Sequence, residues 1–259
     1  MSGLVSIIMP SYNTGRFIRE SIDSVINQTY KNWELLIVDD CSTDDTDEAV
    51  SSFDDARIRY LKNEKNSGAA VSRNYAIREA KGEWIAFLDS DDIWVPEKLE
   101  KQLKFMADNG LFFSYTNYEK IDEDGKPLNI YVSGPDIINR KKIYRYDYVG
   151  HLTMMYNAKH FGLIQIKDIK KNNDYAIELM LFQKTDAVCR LLDENLAKYR
   201  IRSKSISHDK LSKKLKSHYD LFRYCDEKSA PIAFLYACRN MWYGFWKKRK
   251  YEKRHFGGK

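Results

Sequence analysis

Short apolar runs alternate with amphipathic stretches over the first hundred residues. The apolar runs are LVSIIM, ELLIVDD, RIRYLKN and WIAFLDSDD. Apolar residues recur at helical spacing in the other stretches, which are RFIRESIDSVINQ, DDTDEAVSSF, GAAVSRNYAIREAK and PEKLEKQLKFMADNG. This order of strand, helix, strand and helix predicts a parallel sheet wrapped by helices.

Residues at the ends of these stretches favour the same boundaries. Gly15 precedes the first predicted helix, and the segment STDDT at 42–46 supplies capping side chains. Pro96 suits the first turn of the helix that follows the fourth strand, and Gly110 closes that helix.

The pattern is less regular after Gly110. LFFSYTNYEKIDEDGKPLN predicts a strand, a turn at residues 124–125 and a second strand, so the sheet is expected to be mixed from here. Further strands are predicted near HLTMMYN and FGLIQI, a helix over NNDYAIELMLFQK, and a closing strand over DENLAKYRIR. Two more helices are predicted, one around 209–226 and one that starts near Pro231.

Length and composition are those of a globular protein. With 259 residues, the chain can bury a core in one large or two modest α/β domains without disulfides or a structural metal. No apolar run approaches the ~20 residues that cross a bilayer. The N-terminus has no basic region before its apolar run and no cleavage site, so we expect a first strand there and a cytoplasmic protein.

Basic charge is concentrated at the C-terminal end. Residues 200–259 contain 17 Lys and Arg against 5 Asp and Glu, a net charge of +12. Because the whole chain has a net charge of +6, the first 199 residues carry −6. Such a segment favours anionic lipid, nucleic acid or an acidic partner, and composition alone does not choose among them.

The four cysteines give no sign of a metal site or a disulfide framework. They are widely separated and form no CxxC pair. We expect ordinary thiols at Cys41, Cys189, Cys225 and Cys238.

Polar residues follow the predicted strands at the place where open parallel sheets bind ligands, outside the carboxyl ends of the strands. These segments are 10–13, 39–45 and 89–92. The first strand is followed by neither GxGxxG nor GxxxxGK[ST], which argues against a dinucleotide-binding or P-loop function.

Three carboxylates end the fourth apolar run. Burial of like charges is costly unless a cation or several donors compensate them, so Asp89, Asp91 and Asp92 suggest a divalent metal. Asp89 and Asp91 share a side of an extended chain, and hard oxygen ligands without nearby His or Cys favour Mg²⁺ or Mn²⁺. The alternative, more common for an isolated acidic triplet, is that these residues cap the next helix and face solvent.

The sequence around these carboxylates resembles a known family. VSIIMPSYNTGRFIRESIDSVINQTYKNWELLIVDDCSTDDT, followed by NSGAAVSRNYAIREAKGEWIAFLDSDDIW, closely resembles the nucleotide-sugar-binding half of glycosyltransferase family 2, inverting enzymes of the GT-A fold. Through YTNYEKIDEDG and YRIRSKSIS it is most similar to bacterial enzymes that build O-antigen, capsule or teichuronic-acid repeats. The resemblance implies an α/β GT-A fold: a Rossmann-like, mostly parallel sheet with helices on both faces, a mixed acceptor half and a C-terminal helical tail.

The same resemblance implies a division of the chain and a function. Residues 1–110 would bind the nucleotide sugar, 111–208 the acceptor, and 209–259 would form a basic, aromatic helical tail. The implied enzyme is a metal-dependent inverting glycosyltransferase that uses Mn²⁺ or Mg²⁺ and a nucleotide sugar, with UDP as the expected nucleotide. Its acceptor would be a glycan linked to a lipid diphosphate in bacterial surface polysaccharide synthesis.

Two other functions compete with this one. The main alternative is a non-catalytic nucleotide-sugar or glycan-binding module on the same fold. A nucleotidyltransferase would need a Gly-rich, basic loop after the first strand, where this chain has PSYNTGRF. We expect no nucleic acid partner, and the sequence leaves a homo-oligomer open.

The resemblance implies nucleoside contacts at the first two strand ends. Pro10, Ser11 and Tyr12 match the segment that holds the nucleoside, with the Tyr12 ring stacking on the base or, alternatively, half-buried at the strand end. Asp40 matches the carboxylate that accepts a hydrogen bond from uracil N3. Asp39 either touches the ribose or caps the turn at CSTDD.

The resemblance also implies contacts with the diphosphate, sugar and metal. Arg73 in AVSRNYAI matches a basic position near the diphosphate, where a planar multiple donor suits phosphate oxygens; the alternative is a surface salt bridge. In DSDD, Asp89 with Ser90 would face the sugar or ribose, and Asp91 would bind the metal directly. Asp92 would support the site from behind.

An inverting transfer needs a base that takes the proton of the acceptor hydroxyl. In the family this is the Asp of a Glu-Asp pair at the start of a helix, which implies Asp174, with Asn173 where Glu is more common. A helix N-terminus lowers the pKa of a carboxylate, so a base here relies on position more than on basicity. The alternative for Asp174 is a plain N-cap.

Three further residues are weaker candidates. Arg200 and Arg202 resemble a segment that folds over the diphosphate, although isolated basic residues are more often solvated. His151 could touch the acceptor sugar or a metal, yet a lone His is more often structural.

The tail segment PIAFLYACRNMWYGFWKKRKYEKRHF combines aromatic and aliphatic residues with a basic cluster at 247–250. Such a helix can lie among lipid headgroups. We expect it to dock the enzyme on the inner face of the cytoplasmic membrane. The alternative is that its apolar face packs on the domain or on a second subunit.

Overall fold

The computed structural model describes residues 3–184, 187–202 and 211–254, which form one eleven-stranded sheet with nine α-helices. The strands are β1 (Val5–Ser11), β2 (Trp33–Asp39), β3 (Ile58–Lys62), β4 (Trp84–Phe87), β5 (Ile93–Trp94), β6 (Phe113–Ile121), β7 (Pro127–Val132), β8 (Ile137–Ile138), β9 (Met155–Asn157), β10 (Cys189–Arg200) and β11 (Glu252–Arg254). The helices are α1 (Gly15–Ile26), α2 (Thr46–Ser51), α3 (Ala69–Glu79), α4 (Lys98–Asp108), α5 (Arg140–Ile143), α6 (Ala158–Phe161), α7 (Asn173–Lys184), α8 (Leu211–Asp220) and α9 (Ala230–Tyr251).

The first four predicted strands form the parallel half of the sheet, as expected. β1 lies between β2 and β4, and β3 pairs with the far side of β2. Every residue of β1, β2 and β4 is buried, because helices cover both faces of the sheet. Ile8, Leu36 and Phe87 pack on the face of α3 and α7, and Ile7 and Leu35 pack on the face of α1 and α4.

Glycine allows the close approach that starts α1. A Cβ atom at Gly15 would lie 1.8 Å from Oδ1 of Asp45, so a larger residue would push the start of α1 away from the start of α2. Gly110 has a φ of 62° just after α4, a conformation that favours glycine at a helix end. The helix boundaries predicted at these two glycines are confirmed.

The second half of the sheet is mixed, also as expected. β9 runs antiparallel to both β4 and β6 and so joins the two halves. β7 and β11 extend the sheet antiparallel beyond β6. β10 runs parallel to β6 with two register shifts and antiparallel to β5 and β8. Because β5 directly follows the acidic segment at residues 89–92, its pairing with β10 brings the C-terminal end of β10 close to these carboxylates.

The strand predicted over FGLIQI is wrong. Phe161 ends α6, and residues 162–169 form neither helix nor strand. The side chain of Asn74 takes the place of a neighbouring strand: its Nδ2 donates to the carbonyl of Ile166 at 2.7 Å, and its Oδ1 accepts from the amide of Ile166 at 3.0 Å. The apolar run is therefore buried without a ladder. The short strands β5, β8 and β11 had no visible sequence pattern.

The two C-terminal helices, α8 and α9, pack beside the segment around residue 145 and the start of α7. α8 continues into a π-helical turn, Leu221–Cys225, and α9 follows after a short loop. Asn240 of α9 donates to the Tyr175 hydroxyl at 2.9 Å, and Gly244 lies against the ring of Tyr146. One face of α9 thus packs on the domain, which is the alternative weighed for the tail. Over the described ranges, no helix is both long and apolar enough to span a membrane.

Candidate active site

The carboxyl ends of β1, β2 and β4 meet at one edge of the sheet. Ser11 is in register with Asp39, and the amide of Asp40 donates to the carbonyl of Ser11 at 2.9 Å. On the other side of β1, the amide of Leu88 donates to the carbonyl of Ile8 at 3.1 Å. The three polar segments predicted from the sequence are therefore neighbours in space.

The end of β1 presents one exposed aromatic ring. Pro10 and Ser11 are buried, and the Ser11 hydroxyl lies 2.8 Å from that of Thr14. Tyr12 is 49% exposed, which is compatible both with stacking on a base and with the half-buried position at the strand end that is its alternative. Its ring is open for stacking on a base, which stays a prediction.

Asp39 closes the turn that follows β2. Its Oδ2 accepts from the amide of Ser42 at 3.0 Å, and its Oδ1 accepts from the Ser42 hydroxyl. Cys41 has a φ of 65° within this turn. The geometry matches the capping alternative for Asp39, and a ribose contact stays a prediction.

Asp40 holds the loop that precedes α3. Its Oδ1 accepts from Asn63 Nδ2 at 2.7 Å and from the amide of Ser67 at 2.8 Å, and its Oδ2 accepts from the amide of Gly68 at 2.7 Å. An ionised carboxylate offers about four acceptor positions, so these three donors leave one. Contact with uracil N3 stays a prediction and would use that remaining position.

Arg73 links three elements of the site. From α3, its Nη2 donates to Oδ1 of Asp89 at 2.6 Å, and its Nη1 donates to the side-chain oxygen of Asn173 at the start of α7. The residue is 6% exposed, so this is not the surface salt bridge weighed as its alternative. Within the described residues, Nε of Arg73 has no hydrogen-bond partner. Sequence reasoning noted Asn173 only as a departure from the family pattern and missed its bond to Arg73.

The three carboxylates of the acidic segment differ in charge balance. Burial raises the pKa of Asp89, but the charge of Arg73, a further contribution from His151 and the hydrogen bond from Arg73 together bring it below its ordinary value. Burial and then the charge of Asp89 raise the pKa of Asp91, although Arg202 Nη1 lies 2.9 Å from its Oδ2. Burial, Asp91 and Asp89 together hold the pKa of Asp92 well above its ordinary value. Burial and neighbouring carboxylates thus disfavour the ionised forms of Asp91 and Asp92, and a divalent cation beside Asp91 would favour its ionised form.

The donor set of this cluster fits a hard cation. Asp89 and Asp91 keep 35% and 22% of their side chains exposed, and both offer carboxylate oxygens, which Mg²⁺ and Mn²⁺ prefer. Over the part of the chain that the structure describes, no group of three His, Cys, Asp or Glu converges on one point. A cation held by Asp91 would thus need water and phosphate oxygens as further ligands, which Mg²⁺ commonly uses. Ser90 is buried between the two carboxylates.

Arg200 supports the acidic segment through hydrogen bonds on its buried side. Its side chain is fully buried: Nε donates to the carbonyl of Asp91 at 2.8 Å, Nη2 to Glu20 at 2.6 Å, and Nη1 to the carbonyl of Glu123 at 3.0 Å. Its amide donates to Oδ1 of Asp92 at 2.9 Å. The suggested phosphate contact of Arg200 does not fit this arrangement, because protein acceptors hold each nitrogen of the guanidinium. Glu20 was missed in the sequence, since it lies 180 residues from Arg200.

Asp174 is the second residue of α7 and lies next to the Arg73 bridge. Among the described residues, its Oδ1 accepts a hydrogen bond from the amide of the following residue, Tyr175, at 2.9 Å, whereas an N-cap side chain reaches the amide two or three residues on. The plain N-cap that was its alternative is therefore not formed. Asn172, just before α7, has a φ of 57°, and this left-handed residue sets the direction in which the helix starts.

His151 lies among these charges without a partner. It is 8% exposed, its ring centroid lies 4.4 Å from that of Phe87, and neither ring nitrogen has a hydrogen-bond partner among the described residues. Burial and the positive charge of Arg73 lower the pKa of His151 to about 4, against the opposing charges of Asp174 and Asp89. Sequence reasoning gave this residue little weight, and the structure makes it a neutral imidazole inside the site.

Comparison with known sequences identifies relatives of this chain. The family profile described as glycosyl transferase family 2 matches residues 6–171. TuaG of Bacillus subtilis, named as a teichuronic acid biosynthesis glycosyltransferase, is 41% identical over 209 residues, which are 80% of this chain and 82% of TuaG. WfgD of Escherichia coli, named as a UDP-Glc:alpha-D-GlcNAc-diphosphoundecaprenol beta-1,3-glucosyltransferase, is 39% identical over 237 residues, 92% of this chain and 91% of WfgD.

Solved structures share the fold. Residues 1–349 of TarS from Staphylococcus aureus, in complex with UDP-GlcNAc, superpose with a TM-score of 0.69 at 21% identity, over 88% of this chain and 69% of that one. The mannosyltransferase PcManGT of Pyrobaculum calidifontis, in complex with GDP-Man and Mn²⁺, superposes with a TM-score of 0.62 at 16% identity, over 92% and 74%. The fold class predicted from the sequence is confirmed.

Proposed function

The chain belongs to glycosyltransferase family 2, as its sequence motifs indicated, and from that premise we propose that it transfers a sugar from a nucleotide sugar to a lipid-diphosphate-linked glycan, with inversion. It is a glycosyltransferase, and its relatives include enzymes named for the synthesis of bacterial surface polysaccharides. The observation that carries the proposal is the bridge from Asp89 through Arg73 to Asn173, which sets the acidic segment beside Asp174.

The donor we propose is a UDP-sugar. The exposed ring of Tyr12 and the remaining acceptor position of Asp40 lie at neighbouring strand ends, as stacking on a uracil and acceptance from its N3 would require. WfgD is named for UDP-Glc and TarS was solved with UDP-GlcNAc, and both support this choice.

The leaving diphosphate would lie over the acidic segment. A bound Mn²⁺ or Mg²⁺ would neutralise negative charge that develops on the diphosphate. Asp91 would hold that cation, while Asp92 and Arg200 keep the backbone of the segment in place. The partly exposed guanidinium of Arg202 is one donor that would reach phosphate oxygens, and Arg73, whose buried Nε has no partner among the described residues, lies beside Asp89.

Asp174 would act as the base. As the acceptor oxygen forms its bond to the anomeric carbon, the bond from that carbon to the diphosphate breaks, and the hydroxyl proton passes to the Asp174 carboxylate. Its neighbour Asn173 is fixed by Arg73, so the base and the diphosphate region are held in one rigid arrangement. The position of the Asp174 carboxylate, which the Arg73 bridge controls, would therefore determine the rate of sugar transfer.

The acceptor and the location of the enzyme complete the proposal. WfgD is named for a diphosphoundecaprenol-linked acceptor, which supports a lipid-linked glycan for this chain. We place the enzyme in the cytoplasm, at the inner face of the cytoplasmic membrane, with peripheral contact through its basic tail. The three-part division of the chain and the homo-oligomer stay predictions.

A screen of nucleotide sugars tests the proposal. Purified protein is incubated with UDP-, GDP- and TDP-sugars in Mn²⁺ or in EDTA, and both thermal shift and hydrolysis are recorded. We expect a UDP-sugar to raise the melting temperature with Mn²⁺ and to be turned over, and the Asp174→Asn variant to bind it with at least 100-fold slower turnover. Binding without turnover by the wild-type chain would favour the non-catalytic module, and turnover by Asp174→Asn at the wild-type rate would remove Asp174 as the base.

A further inference from the structure

Helix α9 has two apolar faces, and only one of them packs on the protein. Ala233, Ala237 and Asn240 are fully buried against the acceptor half, and Gly244 lies on the Tyr146 ring. The opposite face carries exposed apolar residues three and four positions apart, so they line one side of the helix. We call them the outward stripe: Leu235, Cys238, Trp242, Phe245 and Trp246.

The outward stripe is a continuous apolar ridge. Its four large side chains are between 49% and 64% exposed. The ring centroids of Trp242 and Trp246 lie 6.3 Å apart, and those of Phe245 and Trp246 lie 6.1 Å apart, so the exposed rings also contact each other. Scattered exposed hydrophobic residues are common, but a contiguous aromatic ridge marks a binding surface.

Charge on α9 selects the kind of partner. The 22 residues of α9 include no Asp or Glu, and its C-terminal end carries the exposed Lys248, Arg249 and Lys250. The Arg249 guanidinium lies 5.3 Å from the ring centroid of Phe245, so the cations begin where the ridge ends. An occupant must therefore be apolar along the ridge and anionic at its end. A second copy of α9 would bring further cations and no carboxylate, which disfavours self-association through this face.

The inward face connects α9 to the helix that carries Asp174. Asn240 donates to the hydroxyl of Tyr175, the residue after Asp174, at 2.9 Å. Lys247 donates to the carbonyl of Asp147 at 2.8 Å. A surface that grips the outward stripe would thus hold the start of α7 in a fixed position through α9.

We propose that α9 is an interfacial membrane helix. The outward stripe enters the boundary between acyl chains and headgroups, Trp242 and Trp246 lie at the interface, and Lys248, Arg249 and Lys250 contact anionic headgroups. The inference rests on the proposed function, since an acceptor anchored in lipid would be presented at this surface.

Flotation with vesicles tests the proposal on the full chain. Vesicles of phosphatidylcholine alone are compared with vesicles that also contain phosphatidylglycerol, at 0.15 M and 0.5 M salt. We expect the wild-type chain to bind the anionic vesicles at least tenfold more tightly at the lower salt, because each Lys or Arg near the surface contributes to binding. Recovery of the wild-type chain in the soluble fraction with anionic vesicles would overturn the proposal.

Matched variants separate the two parts of the surface. The double variant Trp242→Ser/Trp246→Ser should lose at least tenfold in affinity for anionic vesicles, and Tyr224→Ser, an exposed aromatic outside α9, should not. Lys248→Gln/Arg249→Gln/Lys250→Gln should lose the preference for anionic lipid, whereas the same loss of charge on α8, Lys213→Gln/Lys214→Gln/Lys216→Gln, should keep it. Equal losses in the α8 variant would show a general charge effect and contradict a docking face on α9.

Two further measurements keep the outcomes distinct. Hydrolysis of the donor sugar without vesicles should be unchanged in both α9 variants. If only membrane docking fails, this activity stays intact. If the proposed function is wrong, the activity is absent from the wild type and from both variants. Light scattering that shows a wild-type dimer, converted to a monomer by Trp242→Ser/Trp246→Ser, would assign the ridge to a second copy and overturn the lipid assignment.

Discussion

Two groups of carboxyl groups in this protein differ in how their surroundings shift their pKa values. The edge cluster, Asp89, Asp91 and Asp92, lies where three strands end and is reached by arginines from α3 and the end of β10. The helix pair, Asp147 and Glu178, lies between α9 and α7.

Burial and the available cations account for the difference. Asp89 and Asp91 keep part of their surface, whereas Glu178 is fully buried and neither of its oxygens accepts from a protein donor among the described residues. Burial raises the pKa of Asp147 to about 6 even with Lys247 near, and burial and the Asp147 charge raise that of Glu178 well above its ordinary value. Both shifts favour the protonated forms of these two carboxyl groups, and two carboxyl groups can form a hydrogen bond with each other only if one is protonated. At the edge cluster, by contrast, the ionised form of Asp89 is favoured beside Arg73, although the buried Asp92 has a raised pKa as well.

Removal of a charge from the edge cluster has the largest expected effect. We expect Asp91→Asn to slow sugar transfer by about 100-fold or more, since it removes the charge that would hold the cation opposite the leaving diphosphate. Calorimetry of UDP binding with and without Mn²⁺ gives a second readout, in which the variant should lose the Mn²⁺ effect. The melting temperature should hold, because the pKa of Asp91 is already raised by its neighbours. Asp54→Asn, an exposed carboxylate, is the control, and Mn²⁺-dependent UDP binding by Asp91→Asn would contradict the assignment.

Replacement of the arginine that balances the edge cluster should have the next largest effect. Arg73→Lys keeps the charge, but a single ammonium cannot reproduce the planar fork that reaches Asp89 and Asn173 together. Loss of one hydrogen bond to a charged group costs ~1.5–3 kcal/mol, so kcat/KM should fall about 10- to 100-fold. Arg78→Lys on the same helix, where Arg78 bonds Gln165 at the surface, should change kcat/KM less than twofold. Equal kinetics for wild type and Arg73→Lys would show that the bridge does not position the base.

His151 allows a test of the charge around the edge cluster through stability. Its folded pKa of about 4 lies below the ordinary 6.5, so the unfolded chain binds the extra proton first and wild-type stability falls as the pH drops from about 6.5 to 4. We expect His151→Leu to melt higher at pH 7.5, because two unpartnered buried nitrogens are removed, and the difference to grow at pH 5. Thermal melts over that range measure it, with the exposed His160→Leu as control. If the difference in melting temperature between His151→Leu and wild type became smaller at lower pH, His151 would be charged in the folded protein.

The helix pair should respond least, and in the opposite direction with pH. The folded pKa of Glu178 is raised, so above its ordinary pKa the unfolded chain loses the proton first and wild-type stability falls as the pH rises. Glu178→Gln cannot ionise; we expect it to melt a few degrees higher than wild type at pH 8, with no difference near pH 4, and to retain sugar transfer. Glu64→Gln at an exposed position should show no such trend. A lower melting temperature for Glu178→Gln at pH 8 would show that the ionised form stabilises the fold.

Sequence alone predicted the half of the fold in which local pattern and burial agree. β1, β2 and β4 are buried on both faces, and their apolar runs end at the polar residues of the site. FGLIQI does not form a strand: side chains bond parts of its backbone, among them Asn74 on Ile166 and the Tyr156 hydroxyl on the amide of Ile164. An apolar run in the sequence does not show whether its backbone groups will bond to a neighbouring strand or to side chains.

The parts of the site that sequence could not predict depend on contacts between distant residues. Asn173 and Glu20 show their roles only through Arg73 and Arg200, far away in the chain. The helix pair gave no signal, since Asp147 lies in an irregular segment. Which face of α9 turns inward could not be predicted either, because both faces are apolar, and the burial of Ala233, Ala237 and Asn240 shows it only in the structure.

The return of β10 to β5 has a consequence for how this enzyme folds. The acidic segment is complete in the chain by residue 92, yet the amide that supports Asp92 arrives 108 residues later with Arg200, whose partner Glu20 lies 180 residues away. Contacts of such long sequence separation form late, because loop closure must precede them. A ribosome would therefore release nearly all of residues 111–199 before the acidic segment could take its final shape, and a fragment that ends at residue 110 would carry its three carboxylates without the support of Arg200.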